Sequence, residues 1–484
     1  MIPTSGVHGG LRLDAHNTRS TQSPLRAAPP PAELVLPLDQ HAGKASRPIV
    51  KPGERVLYGQ PIAEPAAQVS AWLHAPASGE VASIELRPAP HRLGAPVLSI
   101  VIANDYRDER FQPPAWPAYD AQPPEALREL LGRGGVVGLG GAAFPLTAKL
   151  ESARDVQPLT LLLNGAECEP YISCDEMLMR ERADDIVLGA RILLHACRAK
   201  SCTIALEAEH DLAEAALRAA LERARDDRFA LVTVPNIYPA GGERQLIATV
   251  FGVEVPFDGL PRDIGVVCCN VGTAAAAAHW VRDAQPLVSR IVTITGDGVR
   301  EACNLEARIG APISGLIAEC GGYTERMARL IMGGSMMGQP LPHDDLPVIK
   351  ATNCVIAASQ LDLQPRDREL PCIRCGACAD VCPAILLPQQ LHWFGRIADL
   401  DALDAHGLLD CIECGCCDYV CPSQIPLAER FREAKPLLAQ RHAERANARA
   451  ARERFEARTV RLEKLEAEHR AALAERRRAK RTPQ

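Results

Sequence analysis

Residues 372–383 read CIRCGACADVCP and residues 411–422 read CIECGCCDYVCP, so one spacing of cysteines occurs twice in the chain. Each stretch follows the pattern C-x2-C-x2-C-x3-C-P, with three evenly spaced cysteines and a fourth before a proline. Three thiolates in this rhythm wrap one side of a metal–sulfur cluster, while the proline directs the fourth thiolate away from it. The repeat therefore predicts a small domain that is built around two clusters.

The two motifs are expected to share their ligands, because in ferredoxin-type domains the fourth cysteine of each motif binds the other cluster. The predicted ligands of the two [4Fe–4S] clusters are Cys372, Cys375, Cys378 and Cys421 for cluster 1, and Cys411, Cys414, Cys417 and Cys382 for cluster 2. Zinc sites and disulfides are the alternatives, but zinc motifs rarely repeat three such thiolates before Cys-Pro. Cys416 lies out of register, so we expect a non-ligand that hydrogen-bonds to a cluster sulfur.

The composition of the chain excludes several classes of protein. A length of 484 residues predicts about three or four domains. The formal net charge of −6 argues against nucleic-acid binding by the whole chain. Eighteen cysteines in a long chain without a secretory pattern predict free thiols in a reducing compartment. Apolar runs stay shorter than the roughly 18 residues of a membrane span, so the sequence predicts no transmembrane segment of its own.

The N-terminal part of the chain is predicted to be a β-module between two irregular segments. Residues 1–32 are polar and rich in proline, which predicts a flexible arm. Residues 33–104 alternate short apolar runs with turn signals and predict a β barrel-sandwich module. Segments 50–63 and 74–81 resemble lipoyl-type barrels, but their hairpin carries no lysine for modification, so we expect packing or docking. The proline-rich residues 105–123 are the predicted linker.

The middle and C-terminal parts predict three further units. Across residues 124–289, strand-like runs alternate with helical stretches, which predicts a Rossmann-like parallel sheet covered on both faces. A small α+β module follows at 290–345, and an α-helical 2×[4Fe–4S] ferredoxin-type domain at 360–436. The predicted fold class is therefore multidomain α/β.

Residues 437–484 are rich in alanine, glutamate and arginine, which predicts a charged C-terminal helix. From Arg441 to Gln484 the chain has 14 Lys or Arg and 7 Asp or Glu, a local surplus of positive charge. A solvated helix is the expected structure. Contact with anionic lipid or with an acidic partner stays open as the alternative.

A glycine-rich loop, residues 132–141, leads into Pro145 and a helix that carries Lys149. Glycines let backbone N–H groups approach a phosphate, and a helix N-terminus adds a favourable dipole. The loop follows neither the G-x-G-x-x-G nor the Walker pattern. Taken alone, it is therefore as compatible with an ordinary structural loop as with a phosphate site.

Three predicted strands end in residues that suit a cofactor site. The strand at 159–163 is followed by NGAECEP, residues 164–170. Two later strand ends, at 238–244 and 269–273, also open helices with glycine, asparagine or threonine. Ligands of parallel sheets bind at the carboxyl ends of strands. These strand ends and the glycine-rich loop together indicate a cofactor rim.

Together with the cysteine repeats, these segments resemble the C subunit of the Rnf (Rsx) electron-transport complex, in the same order from residue 33 to 435. The sheet domain is also similar to the NADH- and flavin-binding subunit of respiratory complex I. The resemblance implies a set of residues that line FMN: Gly138, Gly140, Gly141, Lys149, Asn164, Glu167, Glu243, Asn270 and Thr273. It implies that Glu169 and Phe144 lie nearer the nicotinamide nucleotide, and that residues 291–341 form a small ligand-binding (SLBB) module.

Some residues depart from the family pattern or have a structural alternative. Ala143 stands where the pattern has glycine and Leu146 where it usually has threonine. If the added methyl of Ala143 faces a phosphate, it crowds that group and weakens flavin binding. Glu167 and Glu169 are expected to orient the cofactor, with a helix-capping acidic pair as the alternative. A further group of cysteines is expected to be small buried hydrophobic residues rather than ligands: Cys168, Cys174, Cys268 and Cys269.

The resemblance implies a component of an ion-translocating ferredoxin:NAD+ oxidoreductase (a translocase), with NAD(H) and FMN as cofactors beside the clusters. NADH gives up two electrons at once and a cluster takes one, so a flavin belongs between them. No residue is expected to act as a catalytic acid or base. The implied partners are the other subunits of the membrane complex and a ferredoxin or ferredoxin-like subunit, with no nucleic acid.

The implied location is peripheral, on the cytoplasmic face of the bacterial inner membrane. Two other functions stay open from the sequence. One is a cluster-bearing adaptor without nucleotide chemistry, and the other is a diaphorase subunit of a soluble dehydrogenase or hydrogenase.

Overall fold

The computed structural model describes residues 7–90, 95–113, 118–257, 259–363 and 368–479. In chain order these residues form a β-module, a sheet domain, an α+β module, a cysteine domain and a long terminal helix. This is the multidomain α/β architecture that the sequence predicts. Short 3₁₀ helices lie at Tyr119–Ala121, Pro261–Ile264 and Leu408–Asp410.

The β-module consists of two small antiparallel sheets that share one core. The strands in this part of the chain are β1 (Arg26–Ala27), β2 (Glu33–Pro37), β3 (Arg47–Pro48), β4 (Arg55–Val56), β5 (Pro61–Glu64), β6 (Leu73–His74), β7 (Gly79–Pro88) and β8 (Pro96–Asn104). One sheet has the order β2-β8-β7-β4 and the other β3-β5-β6. Leu34 and Leu36 on β2, and Ile100 and Ile102 on β8, are buried because alternate residues of a strand face the same side.

Residues 7–32 differ from the flexible arm that the sequence predicts. β1 adds to the sheet of the α+β module, where Arg26 lies opposite Leu305 in a parallel pair. Leu11 exchanges backbone hydrogen bonds of 2.7 and 2.9 Å with Tyr238, and Ser20 is fully buried. The polar composition is misleading here because these polar groups find partners on distant parts of the chain.

The sheet domain has a four-stranded parallel sheet with helices around it. Its elements are α1 (Pro124–Arg133), α2 (Leu146–Ser152), β9 (Thr160–Gly165), α3 (Cys174–Glu181), α4 (Ala183–Cys197), β10 (Ser201–Glu207), α5 (Asp211–Ala224), β11 (Phe229–Val234), α6 (Glu243–Phe251), β12 (Val266–Asn270) and α7 (Val271–Asp283). The strand order is β11-β10-β9-β12. β10 and β11 therefore lie on one side of β9, and β12 lies on the other. The direction of strand addition reverses between β9 and β12, which is the switch point of the sheet.

The α+β module has a mixed six-stranded sheet. Its elements are β13 (Ser289–Thr295), β14 (Cys303–Arg308), α8 (Ile313–Glu319), β15 (Met327–Met332), β16 (Gln339–Leu341) and β17 (Cys354–Ser359). The order is β1-β14-β13-β17-β15-β16. β17 lies inside this sheet, so the module extends beyond the predicted range 290–345. All side chains of β17 are buried in the core.

The cysteine domain is helical and continues into one long helix. Its elements are α9 (Ala377–Asp380), α10 (Pro388–Arg396), α11 (Leu400–Ala405), α12 (Cys416–Tyr419) and α13 (Leu427–Ala479). Phe431 and Leu438 at the start of α13 are buried against the domain, whereas residues 451–477 are exposed. Within the described ranges, none of the helices is both long enough and apolar enough to cross a membrane.

Candidate cofactor sites

The first candidate site lies at the switch point of the parallel sheet. Asn164 at the end of β9 pairs in register with Asn270 at the end of β12. The Oδ1 of Asn270 accepts a hydrogen bond of 2.8 Å from the Gly272 backbone and so caps the start of α7. The hydroxyl of Thr273, on the first turn of α7, accepts a bond of 2.9 Å from the Leu139 backbone. Thr273 is 1% exposed, so it fixes the glycine-rich loop from below.

The glycine-rich loop presents open backbone at the place where the sequence predicts a phosphate. Gly141 has φ +111°, and a Cβ added there meets nothing within 4 Å. The loop turns back so that the Gly138 N–H donates to the Phe144 carbonyl at 2.8 Å. Phe144 is partly exposed on the rim. Free space above a glycine backbone fits the close approach of an anionic group.

The Ala143 side chain packs inward, away from the open face of the loop. Its backbone has φ +46°, and the residue is buried in the core of the β-module. Its carbonyl accepts a hydrogen bond of 3.1 Å from the Ala42 backbone. Leu146 is also buried, in the core of the sheet domain. Both side chains therefore serve packing, and the effect of Ala143 on flavin affinity stays a prediction.

Lys149 reaches the base of the site from α2. Its Nζ donates to Glu243 Oε2 at 2.6 Å and to the Cys268 carbonyl at 2.8 Å. Burial has the largest single effect and lowers the pKa of Lys149, but the Glu243 carboxylate together with Cys269 and Cys268 more than offsets it, and the pKa is raised. The ammonium is thus charged, and one of its three protons remains beyond these two contacts for an anion.

Asn164 joins the end of β9 to the turn before α6. Its Nδ2 donates to the Gly241 carbonyl at 2.8 Å, and its Oδ1 accepts from the Ala166 backbone at 3.0 Å. A Cβ on Gly241 would lie 2.2 Å from the Ala166 carbonyl oxygen. Only glycine fits there, which explains why the turn before α6 carries a glycine at position 241.

Glu167 occupies the capping position that the sequence left open as its alternative. Its carboxylate accepts hydrogen bonds of 3.1 Å from the backbones of Asp175 and Glu176, at the start of α3. Burial raises the pKa of Glu167 well above its usual range. Asn270 donates to Asp175, whose pKa burial raises to about 6. Asn270 and Glu167 therefore support the same helix end.

Glu169 contacts the α+β module. Its Oε1 accepts hydrogen bonds from the backbones of Met336 at 3.1 Å and Met337 at 2.7 Å. A Cβ on Gly334 would lie 2.4 Å from the Glu169 side chain, so the loop at 333–338 closes tightly over this carboxylate. Burial raises the pKa of Glu169. No short-range pattern in the sequence encodes this contact between the two units.

The eight motif cysteines surround two cavities. Cys372, Cys375, Cys378 and Cys421 line one cavity. Cys382, Cys411, Cys414 and Cys417 line the other, together with Cys416. Each cavity brings together three cysteines of one motif and the fourth of the other. Four sulfurs around a cavity with few other polar groups are the donor set of an iron–sulfur cluster.

Local backbone geometry explains why the motif cysteines converge. Gly376 and Gly415, with φ +86° and +76°, turn the chain into the short helices α9 and α12. The Cys411 sulfur accepts a hydrogen bond of 3.4 Å from the Glu413 backbone, and the Cys382 sulfur one of 3.4 Å from Leu386. Such N–H···S bonds stabilise thiolates and tune a cluster potential.

The other cysteines mostly behave as small buried residues. Cys174, Cys268 and Cys269 are buried, while Cys168 is half-buried and its sulfur accepts from the Gly241 backbone at 3.2 Å. The Cys416 side chain is fully buried and hydrogen-bonds the Cys414 sulfur. The expected hydrogen bond from Cys416 to a cluster sulfur stays a prediction, since Cys414 is itself a predicted ligand.

One turn joins the sheet domain to the second motif, and we call residues 238–243 the junction turn. The buried hydroxyl of Tyr238 donates to the Cys414 carbonyl at 2.6 Å. At the other end of the turn, Glu243 accepts from Lys149. The strand-end pattern marked this turn in the sequence, but no signal identified Tyr238.

Four family models match the chain. They are the Nuo51 FMN-binding domain at residues 132–279, the RnfC barrel sandwich hybrid domain at 5–107, the SLBB domain at 291–340 and the 4Fe-4S dicluster domain at 371–425. The predicted units thus agree in kind and in order with known families.

Curated relatives match nearly the whole chain. The C subunit of the ion-translocating oxidoreductase complex of Pseudomonas aeruginosa is 46% identical over 465 residues, which are 96% of this chain and 59% of that protein. The protein of the same name from Salmonella gallinarum is 42% identical over 95% of this chain and 68% of its own length. The chain therefore spans about three fifths to two thirds of these relatives.

A solved NAD+-reducing [NiFe]-hydrogenase in the air-oxidised state matches 65% of this chain and 61% of its own, with 20% identity and a TM-score of 0.48. A likeness this distant carries no argument about this chain. The identity to the curated relatives is decisive, and the chain belongs to the family of C subunits of the ion-translocating oxidoreductase complex, with a Nuo51-type FMN-binding domain and a 4Fe-4S dicluster domain.

Proposed function

We propose that this chain carries electrons between NAD(H), FMN and two [4Fe–4S] clusters, as a peripheral subunit whose partners couple the transfer to ion movement. The junction turn is the observation that carries the proposal. Tyr238 contacts the second cysteine motif, and Glu243 contacts Lys149 beside the glycine-rich loop. A single short turn between two cofactor sites suits electron transfer from one to the other.

FMN, when bound, exchanges two electrons with a nicotinamide and single electrons with a cluster. The residues that we propose to hold it are Gly138, Gly140, Gly141, Lys149, Asn164, Glu243, Asn270 and Thr273. The loop glycines offer backbone N–H groups, and Lys149 offers a charged donor. Glu167 contributes through the start of α3, which it caps. Phe144 and Glu169 are proposed on the nicotinamide side of the rim.

We propose the two interleaved sets of cysteines as the ligands of clusters 1 and 2. Cluster 2 adjoins the junction turn through Cys414. Cluster 1 lies nearer solvent, because Cys375 is exposed and Ile373 beside it is 68% exposed. Electrons therefore pass between the flavin and the exterior by way of cluster 2 and then cluster 1.

We propose a ferredoxin or ferredoxin-like subunit as the partner at this exposed face, and the other subunits of the complex as further partners. Leu370, Ile373 and Ile385 are each more than half exposed around the first motif. Exposed apolar side chains beside a cluster suit a transient contact with another electron carrier. The proposed location is the cytoplasmic face of the bacterial inner membrane, held there by the partners.

Anaerobic reconstitution of the purified chain tests this proposal. We expect about eight iron atoms per chain, bound FMN and NADH-dependent reduction of ferricyanide. Iron without bound flavin and without NADH oxidation would contradict the proposal and favour a cluster-bearing adaptor.

Two cysteines of similar burial allow a separate test of the ligand sets. Replacing Cys382 with Ser should remove the electron paramagnetic resonance signal of cluster 2, because one of its four thiolates is lost. Replacing Cys416 with Ser should keep both clusters and shift only the potential of cluster 2. Loss of a cluster in Cys416→Ser, or two unchanged clusters in Cys382→Ser, would refute the assignment.

A further inference from the structure

Two cysteines outside the cluster motifs face each other inside the α+β module. The sulfur atoms of Cys303 and Cys320 lie 3.0 Å apart, although 17 positions separate the residues. Cys303 begins β14, and Cys320 directly follows α8. Both are buried, at 1% and 0% exposure. The fold thus holds two thiols in contact at the meeting point of a strand and a helix.

An arginine from the N-terminal segment lies on this pair. β1 runs beside β14, which brings the Arg26 guanidinium close enough to Cys303 for its charge to act on the sulfur. Within the described part of the chain, the buried Nε of Arg26 has no hydrogen-bond partner. The guanidinium is therefore available to a negative charge on the sulfur.

The surroundings favour the thiolate of Cys303. The hydrogen bond from Cys320 has the largest effect and lowers the pKa of Cys303. Burial raises this pKa and Arg26 lowers it further, so that it falls to about 7. The nearby Glu301 acts in the opposite direction. By contrast, burial raises the pKa of most other cysteines in the core, including Cys197 and Cys202. A thiolate beside a thiol is the pairing that thiol–disulfide exchange uses, and because both sulfurs are buried, a small disulfide reaches them only when the module opens locally.

We infer that Cys303 and Cys320 form a reversible disulfide site in the α+β module, whose oxidant is a low-molecular-weight disulfide of the glutathione class. The Cys303 thiolate attacks one sulfur of the small disulfide and displaces its other half as a thiolate. Cys320 then loses its proton and attacks the Cys303 sulfur of the mixed disulfide, and the second half leaves. The two protein thiols lose two electrons and two protons, and the small disulfide gains them as two free thiols.

The bond links two elements of one module. It ties the start of β14 to the end of α8, and it removes the sulfur charge that Arg26 faces. Because the two thiols already touch, little conformational entropy is lost when the bond forms. The site is independent of the proposed electron path, since neither cysteine belongs to a cluster motif.

The full chain with its clusters in place gives the test. Samples are equilibrated without oxygen in buffers of reduced and oxidised glutathione, free thiols are blocked, and peptides are identified by mass spectrometry. We expect a linked Cys303–Cys320 peptide in the oxidised buffers, its loss in the reduced ones, and free thiols at Cys197 and Cys202 throughout. Free thiols at Cys303 and Cys320 in the most oxidised buffer would overturn the inference.

Two arginine variants distinguish an effect on the Cys303 thiolate from an effect on the attachment of the N-terminal segment. Replacing Arg26 with Gln should slow formation of the bond about tenfold at neutral pH, because less thiolate is present. Arg19 is the control, since it lies on the same segment and pairs with Asp297 at 3.0 Å instead of a cysteine. Arg19→Gln should leave the rate unchanged. Equal rates in both variants would overturn the part assigned to Arg26.

Discussion

At the residue scale, the candidate flavin site depends on one ion pair. Lys149 and Glu243 come from different helices, and their 2.6 Å contact holds the base of the glycine-rich loop to the junction turn. Neither side chain is fully buried, so the pair alone adds little stability. The ion pair instead positions the charged ammonium of Lys149 for an anionic group.

Replacing Lys149 with Ala should weaken FMN binding about tenfold to a hundredfold, the usual cost of losing a charged hydrogen bond to a phosphate. Cluster spectra should not change, since Lys149 touches neither motif. Flavin content after gel filtration and a fluorescence titration measure the effect. Lys200→Ala, a change at an exposed lysine of the same domain, is the control. Equal flavin affinity in both variants would refute the role of Lys149.

Tyr238 gives a second prediction at this scale. In Tyr238→Phe the buried Cys414 carbonyl loses its 2.6 Å donor, which costs about 1–3 kcal/mol and lets the second motif shift. We expect a changed resonance signal and reduction potential for cluster 2, with cluster 1 unaffected. Tyr171→Phe is matched, because it removes a hydroxyl bonded to Asp362 at 3.0 Å, outside both motifs. Equal spectra for Tyr238→Phe and wild type would contradict this role.

At the element scale, local patterns predict more than distant contacts do. The cysteine spacing and the alternation of strands and helices are properties of short segments, so the units and their order could be predicted. Glu169 and Tyr238 find their partners 167 and 176 positions away, and no short-range pattern encodes those contacts. The N-terminal segment differs from its prediction for the same reason, since its partners include Tyr238, Leu305 and Val381, which lie far along the chain.

That segment gives a prediction about an element. Gly9 has φ +63°, and a Cβ there would lie 2.9 Å from the backbone of Cys382. Gly9→Ala should therefore lift the segment from the end of the first motif, where the cluster 2 ligand Cys382 lies, lower the melting temperature and speed the loss of cluster 2 in air. Gly53 has φ +81° with nothing within 4 Å, so Gly53→Ala carries the same backbone strain without the clash.

The difference between the two glycine variants isolates the contact from the strain. We expect cluster 2 to decay at least severalfold faster in Gly9→Ala than in Gly53→Ala, with cluster 1 decaying alike in both. The same decay of cluster 2 in both variants would show that the segment does not shield that cluster.

At the scale of the whole molecule, a buried lysine joins three units. Lys350, just before β17, donates to the carbonyls of Trp72 in the β-module and Gly135 in the sheet domain, both at 2.7 Å. Its own N–H donates to Gln40 at 3.0 Å. The contact is polar, so proton uptake at one side chain can alter how firmly the units hold together.

The pH dependence of stability tests this contact. Burial lowers the pKa of Lys350 to about 7, far below that of an unfolded lysine. Above pH 7 the unfolded chain therefore holds a proton that the folded chain has released, so this group makes the folded state more stable as pH rises. From pH 7 to 9 the gain is about 2 kcal/mol. His74, whose pKa burial lowers to about 3, stays neutral over this range.

Replacing Lys350 with Met should remove that slope, and it should also lower stability at pH 9 because two buried carbonyls lose their donor. Urea unfolding of wild type and variant at pH 7 and 9, at one ionic strength, measures the effect. The quantity of interest is the difference between the two proteins, in which the titration of cysteines and clusters cancels. We expect the free energy of unfolding of the wild type to increase relative to that of the variant as pH rises. A constant difference would mean that Lys350 keeps its charge in the folded chain, and that the ammonium holds the three units together at every pH tested.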